Sequence, residues 1–566
     1  MDRPRQASLR DRMIALVRAG MELLVLGMVC LSPWLYGAVD ARFEFFLFAG
    51  VSVLLLLWGV RTLLEWRLTW KRCPVTLCLA ALFLLGILQL TPLPPEMLPR
   101  LSPGAARLHA LLLPDKTEEL AFDKPRLAPI QPAGQTISLY PFASRRELTR
   151  VLAILVLFAA VRNNLLPSAG LRRLSRVAII NGGLLSLFGI VQFLTTAPNM
   201  VYWTFATKGS VFGPFINKNH FAFYINLCIG LGVGLLLSKY RGRPVARDPR
   251  TGYHYNPGHS TEPARSVGDS EPPLGWAGRA NLGGLSRLLN RPDIIWLSVM
   301  LAIMVSAVAL SLSRGGVLAL VGATLCCFAL RLAASPHRLR LGGALLVGGG
   351  ALALVLWLGL DRVEQRLATL WQGDVLREDR WTLFSNAIPL VREYPIWGTG
   401  FGTFNYVEPI YRTSSAAGSF RYEHAHNDYL EALIEGGVVR LLLSLAAIAL
   451  VFRSGLRAYR RHQNNWVGGL AMGALFAFTT LVIHSLTDFG IHLPAVAVLA
   501  AVMCAYLIGL DSVPSSVQAR PEKERTARDP GEISMRFLGL GPLAGAGLAA
   551  AVALLLYAEG VAAKDA

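Results

Sequence analysis

The stretch IIWLSVMLAIMVSAVALSL, Ile294–Leu312, decides the class of this chain. It holds no charged residue, and a helix of that length rises about 28 Å, close to the roughly 30 Å hydrocarbon layer of a bilayer. A second uncharged run, Val75–Leu93, has the same reach. Scanning outward from these two gives thirteen apolar candidate spans: 13–33, 43–62, 74–93, 148–163, 175–195, 217–238, 294–312, 315–334, 341–360, 434–453, 467–487, 491–510 and 537–558. The fourth is short, and the thirteenth is rich in Gly and Ala, as closely packed membrane helices often are. Of the 566 residues, 53% are apolar and only 16% charged, against roughly 25% charged in an ordinary soluble domain. Disordered chains, collagen-like repeats and small disulfide scaffolds are excluded. The expected fold is an all-α polytopic membrane protein with about 12–13 transmembrane helices and a large helical outer loop.

The formal charge of +19 comes from 55 Lys and Arg against 36 Asp and Glu. Nucleic-acid binding is not needed to explain it, because cytoplasmic loops of membrane proteins collect Lys and Arg. Basic residues fall on alternate connections: Arg3, Arg5, Arg10 and Arg12; Arg61, Arg67, Lys71 and Arg72; Arg172, Arg173 and Arg176; the Arg-rich 239–293 segment; Arg338 and Arg340; and Arg453, Arg457, Arg460 and Arg461. This pattern predicts a cytoplasmic amino terminus, with loops 94–147 and 361–433 facing outward. Met13–Leu31 lacks a small-residue cleavage site close behind it and reads as a retained first helix. The seven cysteines lie in or beside apolar spans, so no structural disulfide or CxxC metal site is expected.

Three connections are long. The polar, Pro- and Gly-rich 239–293 segment reads as a flexible cytoplasmic insertion. Residues 94–147 open with Pro94, Pro95, Pro99, Pro103 and Pro114 and read as an irregular outer cap. Residues 361–433 contain amphipathic helices such as Trp381–Arg392.

Four polar groups stand out, all assigned to the outer boundary. Ser313-Arg314-Gly315-Gly316 places Arg314 against the positive-inside bias. It is either a snorkelling helix-end residue or a fixed cation for phosphate, which a guanidinium binds bidentately. His424-Ala425-His426-Asn427-Asp428-Tyr429 offers a general base, since histidine titrates near operating pH. A metal site is not expected from His–x–His without further ligands at a supporting spacing. Lys208 and Asn217-Lys218-Asn219-His220 bring cations and amides to the start of the sixth span, suited to an anion or, equally, to simple capping by Asn217. His484, Asp488 and His492 would share one face of a continuous helix, either functional or an interhelical pairing. The glycines Gly398, Gly400 and Gly402 lack the strand–helix context of a nucleotide-binding loop. Since every group lies on the outer side, cytoplasmic nucleotide donors are on the wrong face. An activated lipid-linked phosphate fits instead.

Taken in order, Asn217-Lys218-Asn219-His220-Phe221-Ala222, Ser313-Arg314-Gly315-Gly316, Arg380-Trp381, Pro395-Ile396-Trp397-Gly398-Thr399-Gly400, His424-Ala425-His426-Asn427-Asp428-Tyr429-Leu430 and Glu435-Gly436-Gly437 resemble the O-antigen ligase and O-antigen polymerase superfamily of bacterial envelope glycosyltransferases. The resemblance covers roughly residues 200–500. It implies a GT-C-like, metal-independent, inverting glycosyltransferase of the inner membrane, without a cofactor. Its partners would be a polyprenyl-diphosphate-linked glycan donor, a glycan or lipid A–core acceptor, and membrane lipid; nucleic acid would not be one. His426 would act as general base and Arg314 would stabilise the diphosphate. Lys208, Asn217, Lys218, Asn219, His220, Arg380, His424, Asn427, Asp428, His484 and Asp488 would contact substrate, with Asn427 and Asp428 orienting His426 or the acceptor. Ligases of the family place an arginine where this chain has Lys208, and a point charge replaces a fork only in part. The corresponding division is 1–199 as amino-terminal spans with outer loop 94–147; 200–510 as the ligase/polymerase-like core, including insertion 239–293 and catalytic loop 361–433; and 511–566 as a cytoplasmic linker with an extra helix. A transporter or flippase of lipid-linked glycans is the alternative. It would favour charges and broken helices at the bilayer midplane, where most of these spans are apolar.

Overall fold

The computed structural model describes residues 8–112, 135–196, 200–207, 210–241, 246–247, 254–255, 291–333, 375–412, 422–514 and 532–536. The chain is an all-α polytopic membrane protein. Eleven of the thirteen candidate spans are helical: α1 Leu9–Leu31, α2 Ala41–Glu65, α3 Pro74–Leu90, α6 Pro141–Asn164, α7 Pro167–Thr195, α8 Lys218–Arg241, α9 Pro292–Leu310, α10 Arg314–Ala333, α13 Asp428–His462, α14 Trp466–His484 and α15 Pro494–Leu510. Between them lie α4 Leu98–Leu101, α5 Pro103–Leu112, α11 Val375–Glu393 and α12 Phe404–Tyr411. Candidate spans 341–360 and 537–558, and most of insertion 239–293, lie outside the described residues. Among the described residues, seven helices are long and apolar enough to cross a membrane; α3, α10 and α15 are shorter apolar helices.

Helix starts follow local chemistry. Ser8 and Asp11 form a capping box on α1, while Asp40, Asn427 and Asn465 cap α2, α13 and α14 through their side chains. Proline opens α3, α6, α7, α9 and α15, where its missing N–H costs nothing. Several helices overrun the expected boundaries. In particular α7 begins at Pro167, so Arg172, Arg173 and Arg176 ride on a helix and not in a loop.

Helices α8 and α14 form the centre of the bundle and are its most buried spans. Small residues bring their backbones together. A β-carbon added at Gly234 would lie 2.8 Å from the Gly473 Cα, and one at Gly230 would lie 2.5 Å from the Ala477 nitrogen. This is the close approach by which membrane helices gain packing energy without a hydrophobic driving force. Around this pair pack α7, α9, α10, α13 and α15.

The described parts of the 94–147 and 361–433 segments form a single cap with its own apolar core. Leu93, Leu98, Ala105 and Ile137 from one meet Leu383, Leu390, Tyr394 and Phe404 from the other. The 94–147 segment is thus partly helical and not wholly irregular: α4 and α5 lie in it. Gln89 at the end of α3 fastens the cap, donating to the Trp397 and Glu435 carbonyls at 2.6 and 2.8 Å and accepting from the Phe401 N–H at 3.2 Å. The glycine motifs find their reason here. Gly437 interrupts α13 at φ 61°, ψ −167°, with the Ile396 carbonyl oxygen 2.1 Å from where a β-carbon would stand. Gly398, Gly400 and Gly402 all have positive φ and turn the chain against this break.

Candidate active site

Four connections meet at the cap end of the bundle: the 422–427 approach to α13, the 485–493 link between α14 and α15, the start of α8, and the tight turn from α9 into α10. The centre of the group is His426. Its Nδ1 lies 3.0 Å from Asp488 Oδ1. Asp488 also accepts the Phe489 N–H at 3.0 Å and the side-chain amide of Asn219. Asp488 is 1% exposed while His426 is 31% exposed. Burial by itself pushes the Asp488 carboxyl up, but the hydrogen bond and charge of His426, with the charge of His220, outweigh it and hold the group down to about 2. An ionised carboxylate only accepts hydrogen bonds, so Nδ1–H donates to Asp488 and Nε2 is the ring nitrogen left outside that bond. The result is an imidazole of fixed orientation, partly open at the surface of the bundle. His426 also sits at φ +50°, a left-handed conformation uncommon outside glycine that it shares with Leu312 in the α9–α10 turn.

Phe489 is the packing hub. His424 stacks on its ring at 4.2 Å, while His220 and His426 meet it edge-on at 4.9 and 5.0 Å. His424 Nδ1 lies 2.7 Å from Glu431 Oε1, and the other Glu431 oxygen accepts the Ala425 N–H at 2.8 Å. Burial disfavours the His424 cation, but the charge of Glu431 and its hydrogen bond prevail and raise the imidazole to about 9. His492 lies behind, 3.4 Å from Glu431, 3.7 Å from Asp428 and 3.7 Å from Glu147. There burial wins over the charge of Glu431, and its proton affinity is lowered. The ligand atoms of His424, Glu431 and His492 all lie within 4.8 Å of one another, a set able to hold a metal ion. Any ion would have to displace the proton between His424 and Glu431.

Arg314 is exposed at the first position of α10. The hydroxyl of Ser313 before it accepts the Gly316 N–H at 3.2 Å. Gly315 is pressed against the α14–α15 link: a β-carbon there would lie 2.4 Å from Thr487 Oγ1 and 2.8 Å from His484 Cδ2. Gly315, the residue after Arg314, and His426 therefore both meet the same turn, 484–489.

Several expected roles change. Asn427 and Asp428 do not orient His426. Asn427 caps α13, accepting from Tyr429 and Leu430 N–H and donating to the Leu486 carbonyl. Asp428 is buried and turned toward the Ile491 N–H and His492. The orienting group is Asp488, 62 positions further on, and no local spacing announces it. Nor do His484, Asp488 and His492 share one helical face, since α14 ends at His484 and a turn and a 3-10 segment precede α15. His484 is buried and stacked on Phe223 at 3.6 Å. Asn217 opens α8 by accepting the Asn219 N–H at 2.9 Å. The Lys218 N–H donates to the Ser210 carbonyl at 2.7 Å. Arg380 lies along α11, its side chain outside the described residues, as is all of Lys208. Phe489, Glu431 and His492 were the residues whose part a linear reading did not supply.

An apolar cavity of about 310 Å³ opens within the membrane span beside this cluster. His492, Arg150 and Arg440 stand among its lining, and Leu79, Phe158 and Ile448 are among its apolar walls.

The architecture and this site define a multi-pass membrane protein with a histidine- and carboxylate-rich cluster at one end of the bundle. Residues 299–445 match the family model described as O-antigen ligase, so the chain carries a domain of the O-antigen ligase and polymerase superfamily. The matched segment contains Arg314, His424 and His426 but ends before Asp488. No curated protein matches the chain. The family supports activity of the O-antigen ligase or polymerase type in general, acting on lipid-linked glycan and acceptor substrates.

Proposed function

We propose that the protein transfers a glycan from a polyprenyl diphosphate carrier to a sugar hydroxyl of an acceptor, either lipid A–core or a second lipid-linked glycan. The observation that carries this reading is the half-buried His426, held by buried Asp488 on the turn against which Gly315, next to Arg314, is packed. His426 Nε2 takes the proton of the acceptor hydroxyl. The oxygen then attacks the anomeric carbon from the side opposite the diphosphate, forming the new glycosidic C–O bond as the bond to the carrier breaks. A single displacement of this kind inverts the anomeric centre. The electron pair leaves on the diphosphate, whose growing charge Arg314 stabilises, the electrostatic contribution that is usually largest in such reactions. Asn219, His220 and Lys218 lie where the sugar–phosphate portion would rest, with Lys208 and Arg380 as further contacts. The apolar cavity beneath His492 has the lining a prenyl chain takes. The reaction face is the periplasmic one, the amino terminus is cytoplasmic, and the membrane is the inner one of a bacterial envelope. Residues 200–510 form the transferase core and 1–199 its flanking spans.

The test is His426→Ala, scored by the glycans made. The expected outcome is normal membrane insertion, loss of transferred polymer and accumulation of the lipid-linked donor. Unchanged product refutes the assignment. Single repeat units on lipid A–core indicate a polymerase, and full-length chains retained on the carrier indicate a ligase. The His424–Glu431–His492 set favours a second reading, a metal-assisted reaction. Loss of transfer on chelation, restored by a divalent ion and absent from His492→Ala, would replace the metal-independent scheme.

A further inference from the structure

The opposite end of the bundle holds a second, larger polar cavity, about 500 Å³, within the range of small-molecule sites. Helix α15 runs from one end to the other, and its 17 residues separate the cavity from the His426 group by about 25 Å. The cavity is walled by the start of α1, the end of α2, the ends of α6 and α15, the start of α7 and strand β1, Arg67–Lys71. Strand β2, Glu532–Arg536, pairs antiparallel with β1 along its rim, Lys71 opposite Glu532.

Its charge is unbalanced. Arg10, Arg18, Arg61, Arg67, Lys71 and Arg162 line it, against Asp11, Glu65 and Glu532. Two of the three carboxylates are already engaged. Glu65 holds Arg61 through both oxygens, at 2.9 and 3.0 Å, and Arg18 at 2.8 Å, while Asp11 is bound to Ser8 in the α1 cap. Arg61 is only 6% exposed and is further fixed by Asn164 Oδ1 at 2.6 Å. Arg61 is thus spent on its own partners and braces the wall, while exposed Arg67 is among the cations that line the cavity. Beside it, Leu9, Leu63 and Trp66 are exposed at the helix ends, as residues are where a helix leaves a bilayer.

We propose that this cavity binds the phosphodiester of an anionic glycerophospholipid. Guanidinium groups match phosphate oxygens in pairs, and an excess of positive charge between helix ends is the setting in which anionic head groups are held. The apolar rim favours a lipid over a free phosphate, because acyl chains lie against Leu9, Leu63 and Trp66 while the head group turns inward. The site stands apart from glycan transfer and does not depend on it.

The test uses the full-length protein in phosphatidylcholine nanodiscs, titrated with short-chain phosphatidylglycerol, short-chain phosphatidylcholine or inorganic phosphate. Saturable binding of phosphatidylglycerol alone is expected. Removing one cation should weaken it about fivefold, and Arg67→Gln with Lys71→Gln about 25-fold. Arg42→Gln, an exposed position at the cap end, should leave it unchanged. If the double variant does not give a monodisperse protein, Arg10→Gln and the salt dependence of the parent protein take its place, with weaker binding expected in both. Equal binding of phosphatidylcholine, equal loss in Arg42→Gln, or full affinity in the cavity variants overturns the proposal. Phosphate binding as tightly as the lipid assigns the cavity to a soluble anion and overturns the lipid assignment.

Discussion

Asp488→Asn tests the heart of the proposed mechanism with a change of one atom. In the parent protein Oδ1 accepts from His426 Nδ1 and the Phe489 N–H, both at 3.0 Å, and Oδ2 accepts from Asn219. An amide has one acceptor oxygen. If its NH₂ faces His426, Nδ1 must accept, the proton moves to Nε2, and the base can no longer take a proton from a hydroxyl. The whole general-base contribution, about 10²–10⁴-fold or roughly 3–5 kcal/mol, is then lost. If instead the oxygen faces His426, the tautomer survives once Asn219 turns its own amide, but the imidazolium formed during reaction loses its counter-charge. Replacing a charge-assisted hydrogen bond by a neutral one costs about 1–2 kcal/mol, or about tenfold. The expected fall in kcat is therefore at least about tenfold and as much as 10⁴-fold, with donor KM little changed because Asp488 is buried. The assay is glycan transfer in proteoliposomes supplied with lipid-linked donor and acceptor. Asp488→Glu, which keeps the carboxylate, should recover part of the rate, a recovery that a purely structural role would not give. A rate within twofold of the parent in Asp488→Asn, with His426→Ala inactive, refutes the orienting role.

Other outcomes follow from the same geometry. Arg314→Gln should lower kcat by about 10²–10³-fold, and Arg314→Lys by less, since charge is kept and the fork lost; equal rates in both would remove Arg314 from the leaving-group site. Gly437→Ala should lower the apparent Tm of the purified protein, because its φ of 61° and ψ of −167° cost a non-glycine residue about 1–3 kcal/mol and the Ile396 carbonyl blocks the β-carbon. A Tm equal to the parent's would contradict the observed break in α13. His424 is raised to about 9 from an ordinary 6.5, so its ion pair with Glu431 stabilises the fold fully below pH 6.5 and is lost as pH rises through 9. Thermal stability should decline across that window in the parent and vary less in His424→Gln; matching pH profiles would show that the pair contributes nothing.

Much of the fold was legible because its signals are local. Runs such as Ile294–Leu312 are read within about twenty residues, and α9 occupies Pro292–Leu310. Proline and Asn/Asp/Ser starts are read within four, and they open the helices observed. His426 and Arg314 stood out because a base-forming loop and a misplaced cation are properties of single segments. Gly398, Gly400 and Gly402 were visible as glycines, but their purpose was not. They bend the chain against the break at Gly437, a contact between segments nearly forty positions apart. The cap was hidden for the same reason: Leu93 and Leu390 belong to one small core only once the chain has returned.

The sequence by itself determined that this is a helical membrane chain, where most of its helices begin, and which few polar residues were worth explaining. Packing of whole helices decided the rest: α8, α13 and α14 set Asp488 against His426, with Asn427 capping and Asp428 turned inward, and α1, α2, α6, α7 and α15 bring scattered arginines around a cavity at the far end. Helix formation and membrane insertion sum the preferences of adjacent residues. A side chain's partner is set by how whole helices approach and rotate against each other, and here that was settled by small residues such as Gly234 and Gly473, which carry no chemistry of their own.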